Sequence, residues 1–274
     1  MVAKNRENVL SAERPLRIVQ LTDSHLRRDR AGKLLGMNTR DSLAAVLSSV
    51  QTNHPRPDLI IASGDIAQDG SPAAYQYFAD SLHAFDCPAY WFAGNHDSAA
   101  NLQAVAGEAS ALRRAEVFGS WLLIFMNSAV SGQVHGVIGA DDLRWLNQTL
   151  SRHSDKHVLI SFHHHPVDIG SVWLDKIGLK NRYQLWHEIR QFTQVKAILI
   201  GHVHQLFDQV VDGVRVLATP STCIQFLPNS KEFAIDSQAP GYRWLNLYDD
   251  GRIETDVIRA TDFSFEVDMD SDGY

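Results

Sequence analysis

Five short runs of metal-ligand side chains, each placed where an apolar, β-rich stretch gives out, constrain this chain more than any other feature. In order they are Asp23-Ser24-His25, Gly64-Asp65, Gly94-Asn95-His96-Asp97, Phe162-His163-His164-His165-Pro166 and Gly201-His202-Val203-His204. A single Asp-x-His is an ordinary loop pair, and a single Gly-Asn-His-Asp is an ordinary turn. The same placement in five successive stretches is not ordinary, because the carboxyl edge of a sheet is where residues distant in sequence converge. Converged there, these side chains would hold two divalent metals, and a two-metal centre suits hydrolysis of a phosphate ester.

The stretches that carry the runs have their own pattern. Residues 16–21 (LRIVQL) are short and apolar and read as a buried strand, followed by strands at 58–62 and 89–93. Between them, Asn38 or Thr39 can cap a helix over residues 40–51, with Leu43, Val46, Leu47 and Val50 on one face. Ser71-Pro72 is a second helix start, for a helix reaching about residue 84. This βαβαβ order predicts a parallel sheet with helices packed on it. Further strands are expected at 121–126, 158–162 and 197–200, separated by helices at 141–151 and 183–192. Antiparallel strands follow at 214–218, 244–248 and 253–258, with turns at Asp212-Gly213 and Asp249-Asp250-Gly251. Periodicity leaves two arrangements open, one mixed sheet or two sheets face to face.

Composition narrows the partners. The chain has 274 residues, 45% hydrophobic and 21% charged, ordinary values for a globular protein with a sizeable core. We expect a single domain over residues 16–262, with loose termini at 1–15 and 263–274. The polar N-terminus has no apolar leader, and no stretch approaches the roughly 20 residues needed to cross a bilayer. The net charge of −7 disfavours long nucleic acids, which are bound largely through Lys and Arg. Small anions remain possible substrates, since two divalent cations would add about four positive charges locally. Cys87 and Cys223 fit neither a disulfide framework nor a thiolate metal motif, so a reduced, cytoplasmic protein is expected. Monomer and homodimer are both compatible with the sequence.

Oxygen and imidazole donors without thiolates suit Fe, Mn or Zn. Asp65 is the expected bridging ligand, because it follows a flexible Gly64. The same reasoning applies to Gly94 before Asn95 and Gly201 before His202. His202 and His204 alternate along the chain, so each can serve a different metal. Asn95 offers a neutral amide oxygen, and His96 beside it is available for acid–base work.

The ordered set D-x-H, G-D, G-N-H-D, H-H-x-P and G-H-x-H resembles the calcineurin-like metallophosphoesterase superfamily over about residues 17–204. The resemblance implies an α/β fold: a four-layer αββα sandwich of two mixed sheets with outer helices. Thr22–Leu26, LLGMNT at 34–39, SGDIAQD at 63–69, WLDKIGLKN at 173–181, GHVHQ and LATPSTCIQF at 217–226 are similar to the bacterial class III 3′,5′-cyclic AMP phosphodiesterases. By that resemblance Asp23, His25 and His204 hold one metal, and Asn95, a histidine of the 163–165 run and His202 hold the other. Asp65 bridges them. His163 is preferred over His164, because it directly ends the strand and leaves Pro166-Val167 aligned with the family's Pro-Pro. Two Fe²⁺ or Mn²⁺ ions per chain are implied. The implied reaction is attack of a metal-bridging hydroxide on cyclic AMP to give 5′-AMP, lowering the cellular cyclic AMP signal. His96 and Asp65 would be catalytic, and His25, Asn95, His96 and His204 would contact substrate. Trp173–Asn181 and Ser221–Cys223 would line the pocket. The alternatives are a broader phosphodiesterase, acting on glycerophosphodiesters or 2′,3′-cyclic nucleotides, and a non-catalytic cyclic-nucleotide binding protein.

Overall fold

Side chains that alternate along each strand divide this structure, a computed structural model describing residues 14–107 and 113–269, into four layers. In chain order β1 (Leu16–Leu21) is followed by a small hairpin, β2 (Lys33–Leu34) and β3 (Met37–Asn38). Then come α1 (Thr39–Asn53), β4 (Leu59–Ala62), α2 (Pro72–Leu82), β5 (Ala89–Trp91) and α3 (Ala99–Ala106). The middle comprises β6 (Ala115–Phe118), β7 (Trp121–Phe125), α4 (Ala140–Arg152), β8 (His157–Ser161), α5 (Val172–Asp175), α6 (Arg182–Ile189) and β9 (Val195–Ile200). The chain closes with β10 (Phe207–Val211), β11 (Val214–Ala218), β12 (Gln225–Phe226), β13 (Ile235–Asp236), β14 (Gly241–Leu247) and β15 (Ile253–Arg259).

One sheet has the order β15-β14-β1-β4-β5 and the other β10-β11-β9-β8-β7-β6. Both are mixed. The ligand-bearing strands pair in parallel, β1 with β4 and β4 with β5 in one sheet and β8 with β9 in the other. Leu16, Ile18, Leu59, Ile61, Leu159 and Leu199 meet in a core between the sheets that contains no helix residue. Their neighbours Val19, Leu21, Ile60 and Ala62 face outward onto α1 and α2. Ile160, Ile198 and Ile200 do the same toward α4 and α6. The period of two along each strand thus supplies both sandwich interfaces, and the αββα expectation holds.

Local chemistry sets the element ends. Asn38 Oδ1 accepts from the backbone N–H groups of Arg40 and Asp41 and caps α1, while Ser71 Oγ accepts from Ala74 N and caps α2 with Pro72 at its first turn. Several elements were not anticipated: the two-residue strands β2, β3, β12 and β13, the single-turn α5, and α3, β6 and β10. The eight-residue α3 is too short to show a clear period. β6 is a half-buried edge strand. β10 exposes Asp208, Gln209 and Val210 and exists because Asp212 and Gly213, at φ 50° and 83°, fold it back on β11. Of the termini expected to be loose, residues 1–13 and 270–274 lie outside the described residues. Residues 263–269 lie against the body: Phe263, Phe265 and Val267 pack on the core, and Asp268 N donates to Leu35 O.

The layer between the sheets is apolar at one end and polar at the other. Toward the carboxyl ends of the strands, Gln20 is wholly buried, and its amide donates to Ser63 Oγ (2.7 Å) and to Ile200 O of the facing sheet (2.9 Å). Thr219 Oγ1 donates to Gln20 Oε1 and accepts from Arg243 Nε at 3.1 Å. Arg243, 1% exposed on β14, also donates to Ala218 O (2.8 Å) and Thr255 Oγ1 (3.1 Å), with no carboxylate of the described residues in ion-pair contact. Burial lowers its pKa to about 10, so it remains a cation at neutral pH. Replacing it leaves several buried acceptors unpaired. Arg243→Met should therefore destabilise the fold by about 2–4 kcal/mol, read as a fall in the denaturant midpoint. An unchanged midpoint would refute this role in tying the sheets together.

Candidate metal centre

Five of the expected ligand residues occupy the left-handed backbone region: Asp23 (φ 54°), His25 (46°), Asp65 (50°), His202 (69°) and His204 (49°). Non-glycine residues rarely adopt this conformation, and where they do it tends to mark a functional turn. Each strand end is bent here so that consecutive ligands turn inward. The loops hold one another in that shape. Asp23 N donates to Gly64 O (3.0 Å), His25 N to Asp65 O (2.9 Å), Gly201 N to His163 O (3.1 Å) and Thr222 N to Thr22 O (3.0 Å).

The glycines act differently from one another. Gly64 sits at φ 92°, as expected for a sharp turn before Asp65. Gly94 and Gly201 have no such φ and are required for close approach instead. A Cβ on Gly94 would lie 2.2 Å from Asp65 Oδ1, and one on Gly201 2.2 Å from Thr22 Oγ1.

The runs converge on one buried cluster. Ligand atoms of Asp23, His25 and His204 lie within 4.8 Å of one another, as do those of Asp23, Asp65 and His163, of His25, Asp65 and His96, and of His163, His164 and His202. His25 Nε2 and His204 Nε2 face each other at 3.2 Å, with Asp23 Oδ1 3.3 Å from the latter. Asp65 Oδ2 stands between the two halves, 3.1 Å from His163 Nε2 and 4.0 Å from His25 Nε2. Its other oxygen, Oδ1, accepts from His96 N at 2.8 Å. His202 and His204 go to opposite halves, as their spacing predicts.

Donor orientation is fixed from behind. His163 Nδ1 meets Ser63 O (2.7 Å), His204 Nδ1 meets Ile224 O (2.7 Å) and His25 Nδ1 meets Gln68 Oε1 (2.5 Å). These contacts leave each Nε2 directed at the cluster, the arrangement that outer partners impose on metal-bound imidazoles. Thr22 Oγ1 donates to Asp23 Oδ2 (2.6 Å), and His202 N lies 3.1 Å from the same oxygen. Gln68 and Thr22 stand inside motifs that the sequence singles out, but nothing in their spacing marks the outer role. Ser128 is a further partner without a sequence signal. Its hydroxyl meets His164 Nδ1 at 2.8 Å, and His164 Nε2 lies 3.2 Å from Val134 O. Both nitrogens of His164 therefore have protein partners. His165 is stacked on His202 (centroids 5.7 Å apart), with Nε2 3.8 Å from Asp175 Oδ1. Phe226 is 1% exposed and stacks on His204 at 4.1 Å. That burial removes it as a stacking surface, whereas Trp173 is partly exposed.

The donor set fits divalent cations by a direct test. Asp65 Oδ2, Asn95 Oδ1, His163 Nε2 and His202 Nε2 are buried without an acceptable hydrogen-bond partner. Among the described residues eleven buried side-chain atoms are in this position, and these four gather at the convergence of the runs expected to hold metal, where such groups call for a ligand. Electrostatics agree. Burial opposes ionisation of Asp65, but His163, His96 and His25 outweigh it and hold its pKa well below the usual range. Burial likewise opposes the charge on Asp23, and His204 and His163 bring its pKa down. Burial lowers His25 to about 3 and His202 well below its usual value, leaving neutral imidazoles. His163 is the exception: Asp65 and Asp23 overcome the burial cost and raise it to about 9.

Comparison with known proteins agrees with this geometry. Residues 16–206 match the calcineurin-like phosphoesterase family. The chain is 42% identical, over 97% of its length and 98% of the relative's, to a Pseudomonas aeruginosa protein named 3′,5′-cyclic adenosine monophosphate phosphodiesterase CpdA. It is 40% identical to the Escherichia coli K12 protein of that name, covering 97% of each. Among solved structures, a dimetal phosphatase from Danio rerio superposes with a TM-score of 0.63 at 16% identity, covering 90% of this chain and 99% of that one, and shares the fold. Motifs, sandwich architecture and sequence identity together establish that this chain belongs to the calcineurin-like phosphoesterase family.

Proposed function

We propose that the chain is a two-metal phosphodiesterase that hydrolyses 3′,5′-cyclic AMP to 5′-AMP. The observation that carries the reading is Asp65 Oδ2, buried, 3.1 Å from His163 Nε2 and 4.0 Å from His25 Nε2, and so lying between two clusters of ligand-type side chains. The names of the relatives supply the substrate. In this reading Asp23, His25 and His204 would hold one cation, Asn95, His163 and His202 would hold the other, and Asp65 would be shared between them. The Nε2 of His163, directed at Asp65 in the cluster, against the two nitrogens of His164 engaged by Ser128 and Val134, supports the choice between them. Fe²⁺ and Mn²⁺ suit these hard and borderline donors. Bound there, the cations supply Lewis acidity toward the phosphoryl oxygens and a nucleophilic water near neutral pH.

The chain's own groups do the rest. Asp23, Asp65, His25, His163, His202 and His204 are all at most 3% exposed, so the floor of the centre excludes bulk water. Asn95 and His96 are only half-buried and form its open side, where a phosphodiester would enter. Asn95, on that open side, is placed to contact the phosphoryl oxygens, whereas the ring nitrogens of His25 and His204 are taken by the cation and by Gln68 and Ile224. His96, held by its backbone N–H on Asp65, delivers a proton to the departing 3′ oxygen. A cytoplasmic location accords with the free thiols of Cys87 and Cys223. No described helix is long and apolar enough to cross a membrane.

Three outcomes test this reading. Metal-depleted protein reloaded with Mn²⁺ or Fe²⁺ should convert cyclic AMP to 5′-AMP, followed by chromatography of the products. Absence of turnover with every divalent ion would leave only a binding role. His96→Ala should retain full metal content by elemental analysis and lose roughly 10²-fold in kcat, and an unaltered kcat would remove the proton-delivery role. The third concerns pH. In the metal-free fold His25, His164, His165 and His202 carry lowered pKa values, each first by burial, so the native state excludes protons that the unfolded chain accepts below about 6.5. His163, raised to about 9, acts oppositely: its stabilisation is complete below 6.5 and fades as pH rises through 9. Asp97, raised to about 6 first by burial, also takes up a proton in the native state over this range; the four still outnumber these two, so stability of the metal-free protein should fall from pH 7.5 to 5.5, by on the order of 1 kcal/mol per net excluded proton per pH unit below 6.5. A flat or rising Tm on acidification would contradict the neutral assignment.

A further inference from the structure

We propose that Tyr75, a residue of α2, is a positioning residue that acts through Asp97 to fix the loop bearing Asn95 and His96 against the loop bearing Asp65. The inference deepens the proposed function and rests on the roles given there to Asn95, His96 and Asp65.

Asp97 joins two of the five runs. Its Oδ2 accepts from Gly94 N (2.9 Å), in its own loop, and from Ile66 N (3.2 Å), in the loop after β4. Its Oδ1 accepts from Ala67 N at 2.9 Å and from Tyr75 Oη at 3.0 Å. One carboxylate therefore receives four donors, three of them backbone amides flanking Asp65 and Asn95. Carboxylate–amide bonds of this kind are among the stronger hydrogen bonds. The two loops are also joined directly by His96 N on Asp65 Oδ1.

Tyr75 anchors this clamp to a rigid element. Its ring is wholly buried, in the core that α2 shares with Leu102 of α3. The hydroxyl donates to Asp97 and accepts from Ser98 N at 2.8 Å, and Ser98 is the residue that caps α3. The chain from Asp97 into α3 is thus held at both a side chain and a backbone amide by one phenol. Asn101, in the first turn of α3, adds a bond to Gly70 O (2.9 Å) on the far side. The clamp contributes no atom to the cation-facing cluster. It determines where Asn95 Oδ1 and the His96 ring stand relative to Asp65 Oδ2. A shift of about 1 Å in such a relationship is enough to cost up to 10²-fold in rate.

The test uses Tyr75→Phe, which keeps the ring and removes only the hydroxyl, beside Phe78→Leu, a core change one helical turn away in the same cluster. Amide hydrogen exchange on the metal-free proteins gives a readout independent of catalysis. Tyr75→Phe should raise exchange at Ser98, Ile66 and Ala67 by about 10-fold or more, while Phe78→Leu should not do so selectively. With Mn²⁺ loaded, Tyr75→Phe should lower kcat on cyclic AMP about 10-fold with KM within about twofold, and Phe78→Leu should lower Tm with kcat retained. Unchanged local exchange in Tyr75→Phe, or an equal kcat loss in Phe78→Leu, would overturn the positioning role. Failure of the unsubstituted protein to turn over cyclic AMP would count against the proposed function alone, because the exchange result decides the clamp separately.

Discussion

Two carboxylates, Asp23 and Asp65, stand with ligand atoms within 4.8 Å of a shared imidazole, in a space where neither side chain is more than 1% exposed. Everything around the centre answers that constraint. Burying one uncompensated charge costs several kcal/mol, and burying two of the same sign costs more. The fold answers with imidazoles, with backbone amides aimed at the carboxylates, and in our reading with cations. His163 illustrates the balance in the metal-free state. It alone among the buried imidazoles with a resolved shift is raised, because it lies between both acids.

The sandwich delivers this cluster without distorting its apolar half. At one end of the inter-sheet layer the strands contribute leucines and isoleucines. At the other end Gln20, Ser63, Thr219 and Arg243 replace them, and every one has hydrogen-bond partners. That polar shelf lies beneath the ligand loops. It lets the backbone leave the strands in left-handed turns while staying bonded across the two sheets. Five left-handed non-glycine residues at one edge are a local cost, offset by loop-to-loop hydrogen bonds and by the packing of Gly94 and Gly201 against their neighbours.

Much of this was legible in the sequence, for physical reasons that differ by element. β1, β4, β8 and β9 read correctly because parallel, doubly covered strands are continuous apolar runs. The start of α2 read correctly because Ser71-Pro72 combines a cap with a preset φ. α3, β6 and β10 did not, since their existence depends on tertiary pairing and not on their own pattern. Asp23, His25, Asp65, Asn95, His163, His202 and His204 could be singled out as candidate ligands because each is tied to a strand end, and the structure brings Asp23, His25, Asp65, His163, His202 and His204 into one buried cluster. Gln68 and Thr22, which hydrogen-bond two of those candidates from behind, and Ser128, which does so for His164, carried no such mark, because an outer partner has no spacing rule of its own. The glycine argument was right in type at Gly64 and incomplete at Gly94 and Gly201, where contact distance, visible only in three dimensions, is the reason.

The most direct measurement of the central claim is anomalous diffraction from crystals grown with Mn²⁺. The account predicts two strong peaks bridged by Asp65, one reached by Asp23, His25 and His204 and the other by Asn95, His163 and His202, with separation near the 3.5–4 Å typical of paired metals. A map without peaks at this cluster, or with a single ion and Asp65 unligated, would contradict it.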